Sequence, residues 1–190
     1  MTEINHAAAF DATAINAPTT LTRVCNRELV SDAHAVGITH LDVAAILDHR
    51  GQTLLISGPA GIDFTRPWQL PATTVPPGQT ILDALAVMLD DLFGGIDTLT
   101  GYAGHHDNLK PNPRHTGSDP DRDEVIRTFG FVLTVNDPTA ICRSPYIPHQ
   151  WLRRDDELPD HLASTSQALL EAVTIRIAGE CTHDHRHRNR

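Results

Sequence analysis

Outside the C-terminal tail, the densest cluster of chemically able side chains is Gly104-His105-His106-Asp107, two imidazoles followed by a carboxylate. Histidine titrates near neutrality, so either ring could move a proton if it met Asp91 in a partly dry cleft. Neighbouring strand residues point to opposite faces, so His105 and His106 share a pocket only if the strand ends in a turn there. Asp90 and Asp91 sit where a helix C-terminus is expected, and the helix macrodipole disfavours carboxylates at that end. That placement suits a working carboxylate, and a solvent-facing helix edge accounts for it equally well. Arg127, Arg143 and His149 are further candidates, because a guanidinium binds carboxylate or phosphate through its planar fork. A surface ion pair with one of the abundant aspartates is the plainer reading of each arginine. Cys142 has no helix N-terminus or base beside it in sequence and reads as a buried strand thiol.

The elements that must position these groups follow from periodicity and punctuation. "THLDVAAILDHRGQTLLISGP" (39–59) reads as a hairpin, with "DHRG" the turn between two apolar runs. "WQLPATTV" (68–75) is a short strand closed by Pro76 and Pro77. From Gln79 to Phe93, apolar residues recur at 81, 82, 85, 88, 89 and 92, which is helical spacing, and Gly94-Gly95 stops the helix. "DTLTGYAGHHD" and "EVIRTFGFVLTVND" are β-rich, and the Pro/Gly/Asp-rich stretch 108–123 between them reads as a loop inserted in a hairpin. "HQWL" is a last strand, and a closing helix is expected near 160–177. Strands outnumber helices, and one helix lies in sequence between strands, so the class is α/β in the layered, α+β sense.

This order of hairpin, "W-x-LP", glycine turn, helix, strands, "W-L" and closing helix resembles the Nudix superfamily, over roughly Ile38 to Ala178. The family signature is G-x5-E-x7-R-E-U-x-E-E-x-G-U, with U a bulky aliphatic residue. In that frame "LPATTVPPGQTILDALAVMLDDLFGG" puts Thr73 at the first glycine and Gln79 at the first glutamate. Val87 and Met88 fall on the Arg-Glu pair, Asp91 and Leu92 on the Glu-Glu pair, and Gly94 on the last glycine. "GYAGHHD", "IRTFGFVLTV" and "HQWL" resemble the strands that follow the box in a common bacterial branch. The resemblance implies a mixed β-sheet sandwiched between helices, and helical glutamates that hold Mg²⁺ against a diphosphate. Positions 88, 91 and 92 share one helix face, and here that face offers Met88, Asp91 and Leu92. A thioether and an isobutyl group do not bind a hard cation that demands oxygen ligands. The expectation is therefore a Nudix frame with a degenerate box, no metal site and no cofactor. Its pocket would use Asp91, His105 and His106 as acid/base groups, with Arg127, His149, Met88 and Leu92 contacting the ligand.

Two function classes follow: an enzyme of non-Mg²⁺ acid/base chemistry on a small, possibly anionic metabolite, or a ligand-binding or regulatory module without turnover. A weakened diphosphate hydrolase ranks third. A pocket that joins Asp91 to a histidine favours the enzyme; one lined by Met88 and Leu92 with a lone arginine favours the binder. Composition bounds both. A net charge of −9, with the only basic cluster at the C-terminus, argues against a nucleic-acid surface. No apolar run reaches membrane-spanning length, and the N-terminus lacks the order of a signal peptide, so no membrane partner and a cytoplasmic location are expected. Three scattered cysteines read as reduced thiols. The expected organisation is an extension over 1–34, a Nudix-like domain over 35–178, and a disordered tail over 179–190. The tail's Cys181, His183, His185 and His187 can bind Zn²⁺ or Ni²⁺ adventitiously. A small molecule is the expected partner, with a homodimer open.

Overall fold

The computed structural model describes residues 27–57, 67–93, 98–110, 124–136, 138, 147–153 and 155–184. Residues 1–26 of the expected 1–34 arm, the Gly94-Gly95 stop, residues 111–123 of the expected 108–123 loop, Cys142, Arg143, His185 and His187 lie outside them.

The first described element is α1 (Arg27–Ala35). It ends because Gly37 takes a φ of 82°, letting the amides of Val36, Gly37 and Ile38 bond the carbonyls of Ala33 and His34. Ala33 and Ile38 then enter the core, so the boundary expected after residue 34 falls within a helix that packs on the domain.

Next comes the expected hairpin, β1 (His40–His49) and β2 (Gln52–Ser57). Arg50 and Gly51 both have positive φ, 52° and 80°, the two-residue turn whose twist matches paired strands. The 68–75 stretch departs from expectation, forming two short strands, β3 (Trp68–Gln69) on β2 and β4 (Ala72–Thr74) on β1. Pro71 is the reason: it has no N–H to continue a ladder, while its carbonyl accepts from Ala45 N at 2.8 Å.

The predicted helix is α2 (Ile81–Phe93). Thr80 and Asp83 bond each other's backbone amides at 3.1 and 3.4 Å, a reciprocal cap that starts it just inside the expected Gln79. β5 (Thr98–Lys110) and β6 (Glu124–Thr134) pair antiparallel, and β6 also pairs parallel to β1. β7 (His149–Arg153) pairs β2, and α3 (Ser164–Asp184) closes the fold, running past 178.

The result is a seven-stranded mixed sheet with helices on both faces. On one face Leu41, Val43, Ala45, Leu47, Phe129, Phe131 and Leu133 pack against Ile81, Leu82, Leu85 and Leu89 of α2 and against α1. On the other, Ala44, Ile46, Leu55, Leu70 and Ala103 pack under Leu169 of α3. A Ser166 hydroxyl buried there accepts from Leu70 N at 2.9 Å and seats the N-terminal end of α3.

The approach of α3 depends on one missing side chain. A Cβ at Gly130 would lie 2.9 Å from Leu169 Cδ2 and 3.3 Å from the Cβ of Ala103, which has no torsion by which to withdraw. Replacing glycine by alanine restrains the unfolded chain by about 0.4–1 kcal/mol, whereas overpacking costs roughly 1–3 kcal/mol. Overpacking wins, so Gly130→Ala is expected to destabilise by ~1 kcal/mol in urea unfolding. An unchanged or raised midpoint contradicts this account of the α3 contact.

Candidate functional site

A cleft of about 400 Å³ opens between α2 and the β2–β3–β4 edge of the sheet. Its helical wall is Ala84, Val87, Met88, Asp91 and Leu92, and its sheet wall includes Ile56, Ser57, Gln69, Thr73 and Thr74. Pro76, Gln79 and Ile147 complete its rim. Met88 is only 6% exposed and belongs to the core as well as to the cleft. The same apolar stripe that anchors α2 thus continues into the cleft wall, as helical spacing requires. Ser57, Gln69, Thr73, Thr74 and Gln79 contribute uncharged hydrogen-bonding groups, and Asp91, which is exposed, contributes the one carboxylate among the described lining residues.

The histidines expected beside Asp91 are elsewhere. β5 continues as a strand through 105 and 106, with His105 opposite Phe129 and His106 opposite Thr128. Phe129 lies on the α1/α2 face, so His105 shares that face, exposed, with its ring 6.2 Å from the Phe129 ring. His106 shares the face of Thr128, which α3 covers. The two rings therefore take opposite faces, and neither lines the cleft. Two register shifts in β5, between Leu99 and Gly101 and between Tyr102 and Gly104, set this phase. They put Leu99, Tyr102 and His105 on one face at a spacing of three rather than two.

Arg127 is already engaged. Its Nε and Nη2 donate to the two carboxylate oxygens of Asp107 at 2.7 and 2.6 Å, a bidentate fork between directly opposed residues of β5 and β6. The Asp107 carboxyl is held below its usual range, chiefly by the hydrogen bond from Arg127 and against the opposing effect of burial. Arg127 is raised in turn, first by that same bond, with Asp32 of α1 adding a smaller favourable charge. The guanidinium serves as a strand cross-link beneath α1 and does not line the cleft. His149 stands opposite Ile56, and its Nδ1 pairs with the carbonyl of Ile147. It is exposed next to cleft residues without being part of the lining. Of the expected site, the cleft thus unites Met88, Asp91 and Leu92, and leaves His105, His106, Arg127 and His149 outside.

One residue was overlooked in the sequence. Asp42 interrupts the apolar run of β1, pairs with Thr74 of the cleft on one side and Thr128 on the other, and keeps Oδ1 buried with no hydrogen-bond partner among the described residues. A carboxylate inside "HLDVAAIL" was the available signal, since buried polar atoms are nearly always paired.

No family model matches the chain, and no curated protein matches it by sequence. Solved structures do match. The Escherichia coli ORF135 protein superposes with a TM-score of 0.56 at 22% identity, over 76% of this chain and 95% of that one. A NUDIX hydrolase from Nitrosomonas europaea gives 0.53 at 17% identity, over 72% and 88%. The NUDIX domain of Shewanella oneidensis NrtR, complexed with ADP ribose, gives 0.50 at 14% identity, over 74% and 88%. The fold is that of the Nudix proteins. No described helix is long and apolar enough to cross a membrane.

The Asp107–Arg127 fork carries a pH signature. A carboxyl whose folded pKa is depressed contributes stability above its unfolded range, and that contribution is lost as pH falls through the folded value. Partial exposure limits the pair to about 1 kcal/mol or less. Chemical denaturation of the native chain and Arg127→Gln is expected to show that gap near neutral pH and its shrinkage below about pH 4. A gap that stays constant to low pH would remove Asp107 as the partner that matters.

Proposed function

We propose that the chain is a Nudix-fold binding module whose α2 cleft takes a small, largely uncharged ligand of nucleoside size, without Mg²⁺-dependent hydrolysis. One observation carries this reading: the cleft wall is Met88 and Leu92 with a single carboxylate, and no described cation lines it. Mg²⁺ needs several hard oxygen ligands in near-octahedral array. Among the described residues there is no grouping of three or more His, Cys, Asp or Glu side chains able to hold a metal ion. Asp91 stands alone where the resemblance places a cluster of glutamates, so the residues present do not fit the ion. A diphosphate would meet neither a metal nor an arginine in the described cleft, since Arg127 is bound to Asp107.

What the wall does offer is complementary to a flat, partly apolar body. Ile56, Ile147, Val87, Met88 and Leu92 remove apolar surface from water, and the amides and hydroxyls of Gln69, Gln79, Ser57 and Thr73 fix orientation. The NrtR domain with its ADP ribose supports a ligand of nucleotide type on this frame, and the charge of the present cleft argues for the nucleoside part over the phosphates. The acid/base enzyme remains the less supported reading, because it needs a histidine beside Asp91 and the described cleft holds none.

The test is a binding and turnover panel of nucleosides, nucleoside diphosphates and ADP ribose, with and without Mg²⁺. Nucleosides are expected to raise the melting temperature independently of Mg²⁺, and no Mg²⁺-dependent phosphate or nucleotide release is expected. Leu92→Lys, at a half-exposed cleft position, should weaken nucleoside binding at least about tenfold, the loss of roughly 1.4 kcal/mol. Mg²⁺-dependent turnover that disappears in Asp91→Asn would overturn the proposal.

A further inference from the structure

The opposite face of the sheet holds a second, smaller cavity, of about 240 Å³, under α3. Its floor and walls are apolar: Ile46 and Val132 from the sheet, Leu152 from β7, and Leu170 and Val173 from α3. Asp48 projects into it. The register of the sheet places Asp48 between Thr53 of β2 and Thr134 of β6, and all three line the cavity. Among the described residues no donor bonds the Asp48 carboxylate. Two other hydroxyls at the wall have spent their protons. Thr100 Oγ1 donates to the Val132 carbonyl at 3.1 Å, and Thr174 Oγ1 to the Leu170 carbonyl at 3.1 Å. Their lone pairs, like the Asp48 oxygens, are left as acceptors. Asp156 is also on the wall, its Oδ2 accepting from Arg153 N at 3.0 Å.

The cavity therefore presents acceptors and negative charge above an apolar floor. Arg153 is the one described cation in its lining, and that side chain also borders a shallow depression formed with His49, Arg50 and Asp155 at the β1–β2 turn. A ligand that matches has several N–H donors, no acceptor, a positive charge and a short apolar body. We propose that this cavity is a binding site for a small primary amine, with the ammonium on Asp48 and the alkyl part between Ile46, Val132, Leu170 and Val173. An ammonium supplies three donors and accepts nothing. The volume holds roughly eight water-sized groups at about 30 Å³ each, which suits a short alkyl chain with its head group. A net charge of −9 favours the approach of a cation. The site lies across the sheet from the α2 cleft and shares no described lining residue with it, so it stands or falls independently of the nucleoside reading.

The test titrates n-hexylammonium, n-hexanol and n-hexanoate into the full chain, following calorimetry and backbone amide shifts. The three probes share one alkyl body and differ in the head group. Hexylammonium is expected to bind at least about tenfold tighter than hexanol, with hexanoate weakest and the largest shifts in β1, β6 and α3. Asp48→Asn keeps the side-chain shape and should remove the preference for the amine over the alcohol. Val173→Phe, placed on α3 to fill the cavity, should abolish binding of all three, and it decides the matter if Asp48→Asn fails to fold. Equal or tighter binding of hexanol or hexanoate, amine binding unaffected by either variant, or no saturable amine binding overturns the assignment.

Discussion

The parallel pairing of β1 with β6 is the constraint on which the rest of the molecule depends. It runs in unbroken register from His40 opposite Ile126 to Asp48 opposite Thr134. Because side chains alternate along both strands, one register decides two surfaces at once. Leu41, Val43, Ala45 and Leu47 join Phe129, Phe131 and Leu133 under α1 and α2, and Ala44 and Ile46 join Val132 under α3. A slip of one residue would exchange these sets and bring Asp42, Asp48 and Thr128 into the layer now filled by leucine and phenylalanine. Burial on both faces thus fixes the register far more strongly than the ladder hydrogen bonds alone.

Each candidate site is a place where that layering ends. The α2 cleft forms between the helix and the β2–β3–β4 part of the sheet, where residues of the core stripe emerge as a wall. Met88 is the joint, buried in the core and facing the cleft. The second cavity forms at the far end of β1, where Asp48 and two threonines replace the leucines and alanines that would let α3 settle. In both places the polar content is set by strand phase. Polar residues at the ends of β1, β2 and β6 can tolerate facing a helix because that helix does not close on them.

Strand phase also explains the parting of the two histidines. The bulges of β5 each insert a residue, and the strand then continues regularly, sending His105 to one face and His106 to the other. Gly130 and Gly104 stand opposite one another beside the second bulge, where α3 approaches closely enough that Leu169 occupies the space of a Cβ. The twist that a bulge adds and the absence of a side chain at Gly130 let the helix seat there, whereas Gly104, at a φ of 124°, serves the backbone of the bulge. The fork between Asp107 and Arg127 then cross-links β5 to β6 farther along the pair, and it takes that guanidinium out of service for a ligand.

The sequence by itself determined the elements and their order, because period and punctuation are local properties. The spacing of Ile81, Leu82, Leu85, Met88 and Leu89 makes only a helix with one apolar face. Arg50-Gly51 between two apolar runs makes only a tight turn, and the flanking motifs were enough to name the Nudix resemblance. The placement of Met88, Asp91 and Leu92 in one cleft was legible too, since three- and four-residue spacings on a helix are neighbours without reference to anything else. The division at Pro71 was not read, although a proline that cannot donate was there to signal it. Which histidine meets which acid was decided only in the folded chain. His105, Arg127 and His149 come from different strands, and their faces depend on bulges, registers and competing ion-pair partners far away in sequence. A group's reach along one element is set by its own backbone; its partner across elements is set by packing, and packing is a property of the whole core.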